Sequence, residues 1–149
     1  MVKKTVIGIT GTHASGKDTV AEYFCQRYKM KDYSTSTEIG YELTERGMDH
    51  SRPNKVVVAN ELREKFGAGE LARRCLARAT EEILVVSAIR NVGEITYLRE
   101  NSNFFLISVD APIELRYERV KKRERFGDGK TFKEFKAGED RERDALPQW

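Results

Sequence analysis

The sequence predicts an α/β fold built on a parallel sheet, and three observations predict it. Short apolar runs at residues 5–10, 83–87 and 104–109 have the continuous hydrophobicity of strands covered on both faces. Helical periodicity fills most of the sequence between them. The first run leads directly into Gly11-Thr12-His13-Ala14-Ser15-Gly16-Lys17, a glycine loop set between a strand and a helix.

The loop's spacing has a chemical reason. Backbone N–H groups at a helix start are donors that can surround a polyphosphate closely. Gly11 and Gly16 admit a backbone approach that a Cβ would block. Lys17 adds a mobile point charge for the outer phosphates. The usual signature has Ser or Thr after the lysine to hold Mg²⁺; here that residue is Asp18, and the hydroxyl follows at Thr19. Asp18 is either a hard oxygen ligand for Mg²⁺ or a carboxylate favoured by the dipole of the first helical turn. His13 either touches a phosphate or fills the loop.

The helix after the loop turns Val20, Phe24 and Tyr28 to one face. Residues 31–34 form a short second strand. Thr35 and Glu38 then have capping-box spacing, ahead of a helix with Ile39 and Leu43 that stops near Gly47. The hydroxyls from Ser34 to Thr37 either cap this helix or hold a substrate at the strand end. Pro53 closes a linker, and Asn54 begins a helix with Val58, Leu62 and Phe66 inward, ending at Gly67. A further helix over residues 69–80 turns Leu71, Cys75, Leu76 and Ala79 inward. Arg63, on a polar helix side, is a candidate for a substrate phosphate, with surface charge as the alternative.

The strand at residues 83–87 continues into Ala88-Ile89-Arg90-Asn91-Val92-Gly93-Glu94. Ligands of open parallel sheets bind beyond strand carboxyl ends, and an arginine there grips phosphate with a planar pair of donors. Arg90 is therefore a site residue, and Glu94 either caps and supports or contacts substrate. After the buried strand 104–109, Asp110 is the expected N-cap and Pro112 the first turn of a helix burying Ile113, Tyr117 and Val120. Its other side carries Arg116, Arg119, Lys121, Lys122 and Arg123, with Arg125 just beyond. Such a run is either a solvated face or part of a closing lid hinged at Gly127-Asp128-Gly129. A charged helix anchored by Phe132 and Phe135 follows from Thr131.

Composition limits the alternatives. A chain of 149 residues, 34% charged and 39% hydrophobic, fits one soluble domain. No apolar run approaches the roughly 20 residues of a membrane span. The N-terminus enters a strand almost at once without a signal-peptide core, so a cytoplasmic protein is expected. The net charge of +3 is too small to imply nucleic acid. Cys25 and Cys75 have neither metal nor disulfide spacing and read as buried thiols.

Gly16-Lys17-Asp18-Thr19, the stretch 60–67, Ile89-Arg90-Asn91-x-Gly93-Glu94 and Val109-Asp110-Ala111-Pro112 resemble the small P-loop nucleoside-monophosphate-kinase group. Within it they are most similar to dephospho-CoA-kinase-like and adenylate-kinase-related proteins. The resemblance implies a three-layer α/β/α fold, with an inserted helical substrate segment at about 35–80 and a lid-like segment at about 119–131. It implies ATP, Mg²⁺ and transfer of the γ-phosphoryl to a small nucleotide acceptor. Gly11 through Thr19 and Arg119 would bind ATP, and Lys17, Arg90 and Arg123 would act in transfer. Ser34, Arg63, Arg90 and Glu94 would serve the acceptor.

Two departures stand against the family pattern. Ser87 occupies the strand end where an Asp usually orients Mg²⁺. The chain also stops at Trp149, before the last strand, adenine loop and final helix of such proteins; a second subunit in a homodimer, or a longer chain, would complete the sheet. Phosphotransfer is the first expectation, with Asp32 as the nearest candidate for a general base. The alternatives are a nucleotide-binding regulator without turnover and an RNA-associated ATPase, the latter lacking an aromatic stacking platform.

Overall fold

A computed structural model describes residues 2–123 and 131–145, with side chains through Arg141. Four strands, β1 (Thr5–Gly11), β2 (Asp32–Ser34), β3 (Ile83–Ile89) and β4 (Asn103–Val109), form one parallel sheet in the order β2-β3-β1-β4. The helices are α1 (Lys17–Tyr28), α2 (Thr35–Glu45), α3 (Arg52–Phe66), α4 (Glu70–Arg78), α5 (Val92–Asn101), α6 (Ile113–Arg123) and α7 (Phe132–Ala145). Side-chain alternation along the strands sends Val6, Leu84 and Val86 to one face, against α4 and Leu98 of α5. Ile9 and Val85 go to the other face, against Ala21, Val20 and Phe24 of α1. Helices cover both sides of the sheet, the expected three-layer α/β/α arrangement. Among the described residues no helix is long and apolar enough to cross a membrane.

Between β2 and β3 the chain builds a smaller core of its own. Ile39 and Leu43 of α2, Val58, Ala59 and Leu62 of α3, and Leu71 of α4 bury one another. Its outer side is tied by charge. Arg78 grips Glu38 at 2.7 and 3.0 Å. Arg74 joins Glu70 and Glu42 at 2.8 and 2.9 Å, and Arg46 links Glu42 to Glu61. Of these, Glu38, Glu42, Arg74 and Arg78 line a polar groove of about 360 Å³ between α2 and α4.

Several local expectations are corrected. Thr35 and Glu38 form no capping box: the N-cap is Ser34, whose Oγ accepts from the Ser36 N–H, while Glu38 is buried for Arg78. Thr35 instead donates to the Ala88 carbonyl at 2.7 Å, pinning α2 to the end of β3. The capping box lies at α5, a helix absent from the elements read off the sequence, where Asn91 Oδ1 accepts from Glu94 N–H and Glu94 returns the bond. Asn replaces the usual Ser or Thr there, and α5 fully buries only Leu98 and Glu94, so its periodicity is weak. Helix α3 begins earlier than expected, at Arg52, with Ser51 as N-cap and Pro53 in the first turn.

Exposure corrects others. Phe66 and Tyr28 face outward at 52% and 56% exposed. Cys25 is only partly covered, whereas Cys75 is buried and its thiol pushed well above the ordinary range by that burial. Strand β4 is not buried on both faces. It lies at the sheet edge with Phe105 60% exposed. Asp110 accepts from the Ala111 N–H and from Thr12, while the Pro112 carbonyl accepts the Arg116 N–H at the start of α6. Arg125, Gly127, Asp128, Gly129 and residues 146–149 lie outside the described residues.

The α5 cap makes a direct test. Asn91→Ala is expected to lose about 1 kcal/mol of stability in urea unfolding, the usual worth of an N-cap side chain. An unchanged midpoint would mean that α5 does not depend on it.

Candidate functional site

The site begins where β1 runs out. Gly11 passes so close to the end of β4 that a Cβ there would collide with the Val109 carbonyl oxygen. The chain then turns through left-handed backbone at Ala14 (φ 61°) and Gly16 (φ 99°) before entering α1. Only glycine adopts such values without strain, and Gly16 is the N-cap of α1 with no side-chain cap. The first-turn N–H groups are thus left for an outside acceptor. Ser15 Oγ is buried beside them without a hydrogen-bond partner. An orphaned hydroxyl and an uncapped helix start reached through left-handed Gly16 fit a polyphosphate.

Cations converge on this loop from four elements. Lys17 opens α1, its ammonium 3.3 Å from the Thr12 carbonyl. Burial lowers its pKa; the guanidinium groups of Arg90, Arg123 and Arg52 push the same way, against the charge of Asp18. From α6, Arg119 donates to the Ala14 carbonyl at 2.9 Å and Arg123 approaches His13 Nε2 at 2.7 Å. From the start of α3, Arg52 approaches the same Nε2 at 3.1 Å. A guanidinium only donates, so His13 Nε2 is the acceptor for both. The loop-filling role expected for His13 is therefore joined by a bridging one.

Scaffolding residues hold these groups in place. Arg116 is buried, donating to the His13 and Ala111 carbonyls and to Glu139 of α7 at 2.5 and 2.9 Å. Phe135 packs with Ala14 and Val120 beneath the loop. Thr12 Oγ1 donates to Asp110 at 2.6 Å, fastening the loop to the β4–α6 turn.

On the other side, Glu94 is fully buried and accepts from the Arg90 N–H at 2.7 Å and from Arg63 at 3.2 Å. Burial pushes its carboxyl above the ordinary value, against the pull of Arg63 and the Arg90 N–H. Arg63 is accordingly not a surface charge: its side chain is 12% exposed and its Nε is buried without a partner. Glu94 caps α5 and holds Arg63 and the Arg90 backbone, and Ser34 caps α2.

The strand-end departure at Ser87 has a structural counterpart. Ser87 Oγ donates to Asp32 Oδ2 at 2.8 Å, so the neighbouring strand β2 supplies a carboxylate beside Ser87. Burial raises the Asp32 pKa, Ser87 opposing and the charge of Asp18 adding to it. Asp18 and Thr19 are exposed in the first turn of α1. Among the described residues no group of three or more His, Cys, Asp or Glu could hold a metal alone. Mg²⁺ needs none, since it is commonly held by one or two carboxylates, water and the substrate's phosphates.

Arg52 and Arg116 were missed as site residues from the sequence. Ser51-Arg52-Pro53 is a helix-start signal that would have placed Arg52 at a turn, but nothing in it aims the side chain at a loop about forty residues away.

Strand, glycine loop and helix at the end of an all-parallel sheet, ringed by cations, define a protein of the P-loop kinase fold. A family model described as an AAA domain matches residues 7–143. A UPF0200 protein of Methanosarcina mazei is 32% identical over 142 residues, covering 92% of this chain and 75% of that protein. One from Methanocaldococcus jannaschii is 33% identical over 135 residues, covering 87% and 68%. The chain belongs to the AAA-domain family and to the UPF0200 proteins. It spans 46% of a UPF0200/UPF0201 protein of Archaeoglobus fulgidus, which is 32% identical over 149 residues and matches 95% of this chain. Among solved structures, TT1252 of Thermus thermophilus superposes with a TM-score of 0.59 at 22% identity, covering 97% of this chain and 82% of that one. Shikimate kinase of Aquifex aeolicus gives 0.52 at 18%, covering 93% and 80%. These two likenesses are of fold.

Asp32 offers a test with a definite sign. Its folded-state pKa lies above the unfolded one, so its stabilising contribution is complete below the ordinary carboxylate range and is lost as pH rises through the raised value. Asp32→Asn is expected to be more stable than the parent at neutral pH in metal-free buffer, the gap closing toward about pH 4. A gap independent of pH would argue against the burial assigned to this carboxyl.

Proposed function

We propose that this chain is an ATP-dependent phosphotransferase that moves the γ-phosphoryl of ATP to a small nucleotide-like acceptor, a nucleoside monophosphate or dephospho-CoA. The observation that carries the reading is the convergence of Lys17, Arg90 and Arg123 on an uncapped helix start. A polyanion is the ligand whose charge complements such a cluster.

In this reading the loop amides from Gly11 to Thr19 and Arg119 hold the triphosphate. Asp18, with Asp32 near it, would hold a magnesium ion, which would supply neutralisation of the phosphate charge. Lys17 and Arg123 stabilise charge on the phosphoryl group as it leaves ADP for the acceptor oxygen. Arg90 orients the acceptor's own phosphate, its backbone fixed by Glu94, and Arg63 extends that side. Transfer needs no side-chain nucleophile, because positioning and electrostatics supply most of the rate. Helix α6 would act as part of a lid that excludes water.

A second reading, a nucleotide-binding regulator without turnover, draws on Ser87 at the strand end.

A coupled ADP-release assay across nucleoside monophosphates and dephospho-CoA, with Mg-ATP, separates the two. Acceptor-dependent ADP is expected; ATP binding without it would favour the regulator. Lys17→Ala is expected to abolish triphosphate binding or turnover, and full activity would remove the loop's assigned role. Arg90→Ala is expected to raise the acceptor KM about tenfold or more while changing the ATP KM little. Equal losses for both substrates would move Arg90 off the acceptor side.

A further inference from the structure

We propose that the outer edge of β4 pairs antiparallel with β4 of a second copy of this chain, joining two four-stranded sheets into one. The proposal stands apart from the phosphotransferase reading, and neither depends on the other.

The two edges of the sheet differ. β2 is three residues long, and so short a strand offers little to pair with. β4 is seven residues, Asn-Phe-Phe-Leu-Ile-Ser-Val. It is paired with β1 on one side and, among the described residues, with no strand on the other. Edges are ordinarily blunted by a charged side chain, a proline or a bulge. β4 holds no charge and no proline, and its register with β1 runs unbroken from Asn103 opposite Thr5 to Val109 opposite Gly11. Its side chains are open as well. Phe105, on the α1 face with Ile107, is 60% exposed. Leu106, on the opposite face with Phe104, is 36% exposed.

Nothing that follows β4 in these 149 residues is suited to that edge. The sequence after it is α6, α7 and the charged or short stretches 124–130 and 146–149, with no apolar run of strand length. A neutral apolar strand from a second molecule fits, and β4 is itself such a strand. Turned end for end about Leu106, it sets Phe105 opposite the partner's Ile107 and Leu106 opposite the partner's Leu106. Residues opposite one another in antiparallel strands share a face. The aromatic–β-branched pair therefore occurs twice on the α1 side, while the leucines meet on the other. Such a contact uses the same patch on both copies, so it closes at two. The glycine loop follows the carboxyl end of β1, which is parallel to β4. Antiparallel pairing thus sends the two loops to opposite ends of the joined sheet, and each keeps its own cations.

The test is the mass of the whole chain by sedimentation equilibrium at about 100 µM, a concentration at which even a small interface is populated. Twice the 17.1 kDa of one chain is expected. Phe105→Lys together with Leu106→Lys, which puts a charge on each face of the edge, is expected to return the mass of one chain. Circular dichroism and thermal unfolding check that this variant is folded. A second measurement does not depend on it. Leu106→Cys in a Cys25→Ser background is expected to join two chains through a disulfide under mild oxidation, because opposed Cα atoms about 4.5–5.5 Å apart lie within disulfide reach. A single-chain mass for the parent, a dimer that survives both lysines in a folded variant, or a dimer that Leu106→Cys fails to cross-link would overturn the proposal.

Discussion

Like charges gathered around one half-buried ammonium do not stay together unless the rest of the molecule holds them. Lys17, Arg52, Arg90, Arg119 and Arg123 arrive from the first helix, the inserted helices, the end of β3 and α6. Each is fixed by something other than its neighbours. Arg90 is positioned through its backbone by Glu94, and α6 is locked to the loop by buried Arg116 and its bonds to Glu139 and the His13 carbonyl. The loop itself is tied to the β4–α6 turn by Thr12 and Asp110. Two buried residues, one acid and one base, thus aim cations that they do not themselves resemble in role. These scaffold contacts, and not attraction among the cations, set the geometry of the cluster.

Much of this architecture was legible in the chain. The strand runs, the glycine loop and the inward positions of α2, α3 and α4 follow from apolar spacing, because these elements bury one clear face. What escaped is instructive in its causes. Helix α5 presents few buried side chains and a cap built on Asn91, so its signal was local chemistry and not periodicity. β4 reads as fully buried, yet at the sheet edge the same apolar residues lie partly exposed. Glu38 had the spacing of a cap but lay within reach of Arg78, forty residues on, and a bidentate guanidinium won over a single N–H.

The site was legible to the extent that it is local. Gly11 to Thr19 could be read from order alone, and Arg90 from its place after a strand. Arg52 and the Ser87–Asp32 pair could not, because their meaning depends on which strands and helices become neighbours. Ser87 seemed to remove a carboxylate from the chemistry. The parallel pairing of Ser34 with Ser87 brings the Asp32 carboxylate alongside, where it accepts a hydrogen bond from Ser87 Oγ.

The charged lattice on the outer side of α2 and α4 has a mechanical meaning. Arg74 and Arg46 cross-brace three helices, and the apolar core beneath them is separate from that of the sheet. Such a block resists bending, so a displacement would be carried by the chain segments that join it to the sheet. The Thr35–Ala88 bond sits beside one of those joints, making the end of β3 the natural fulcrum. Arg90 stands two residues past that bond, at the junction between the sheet and the block.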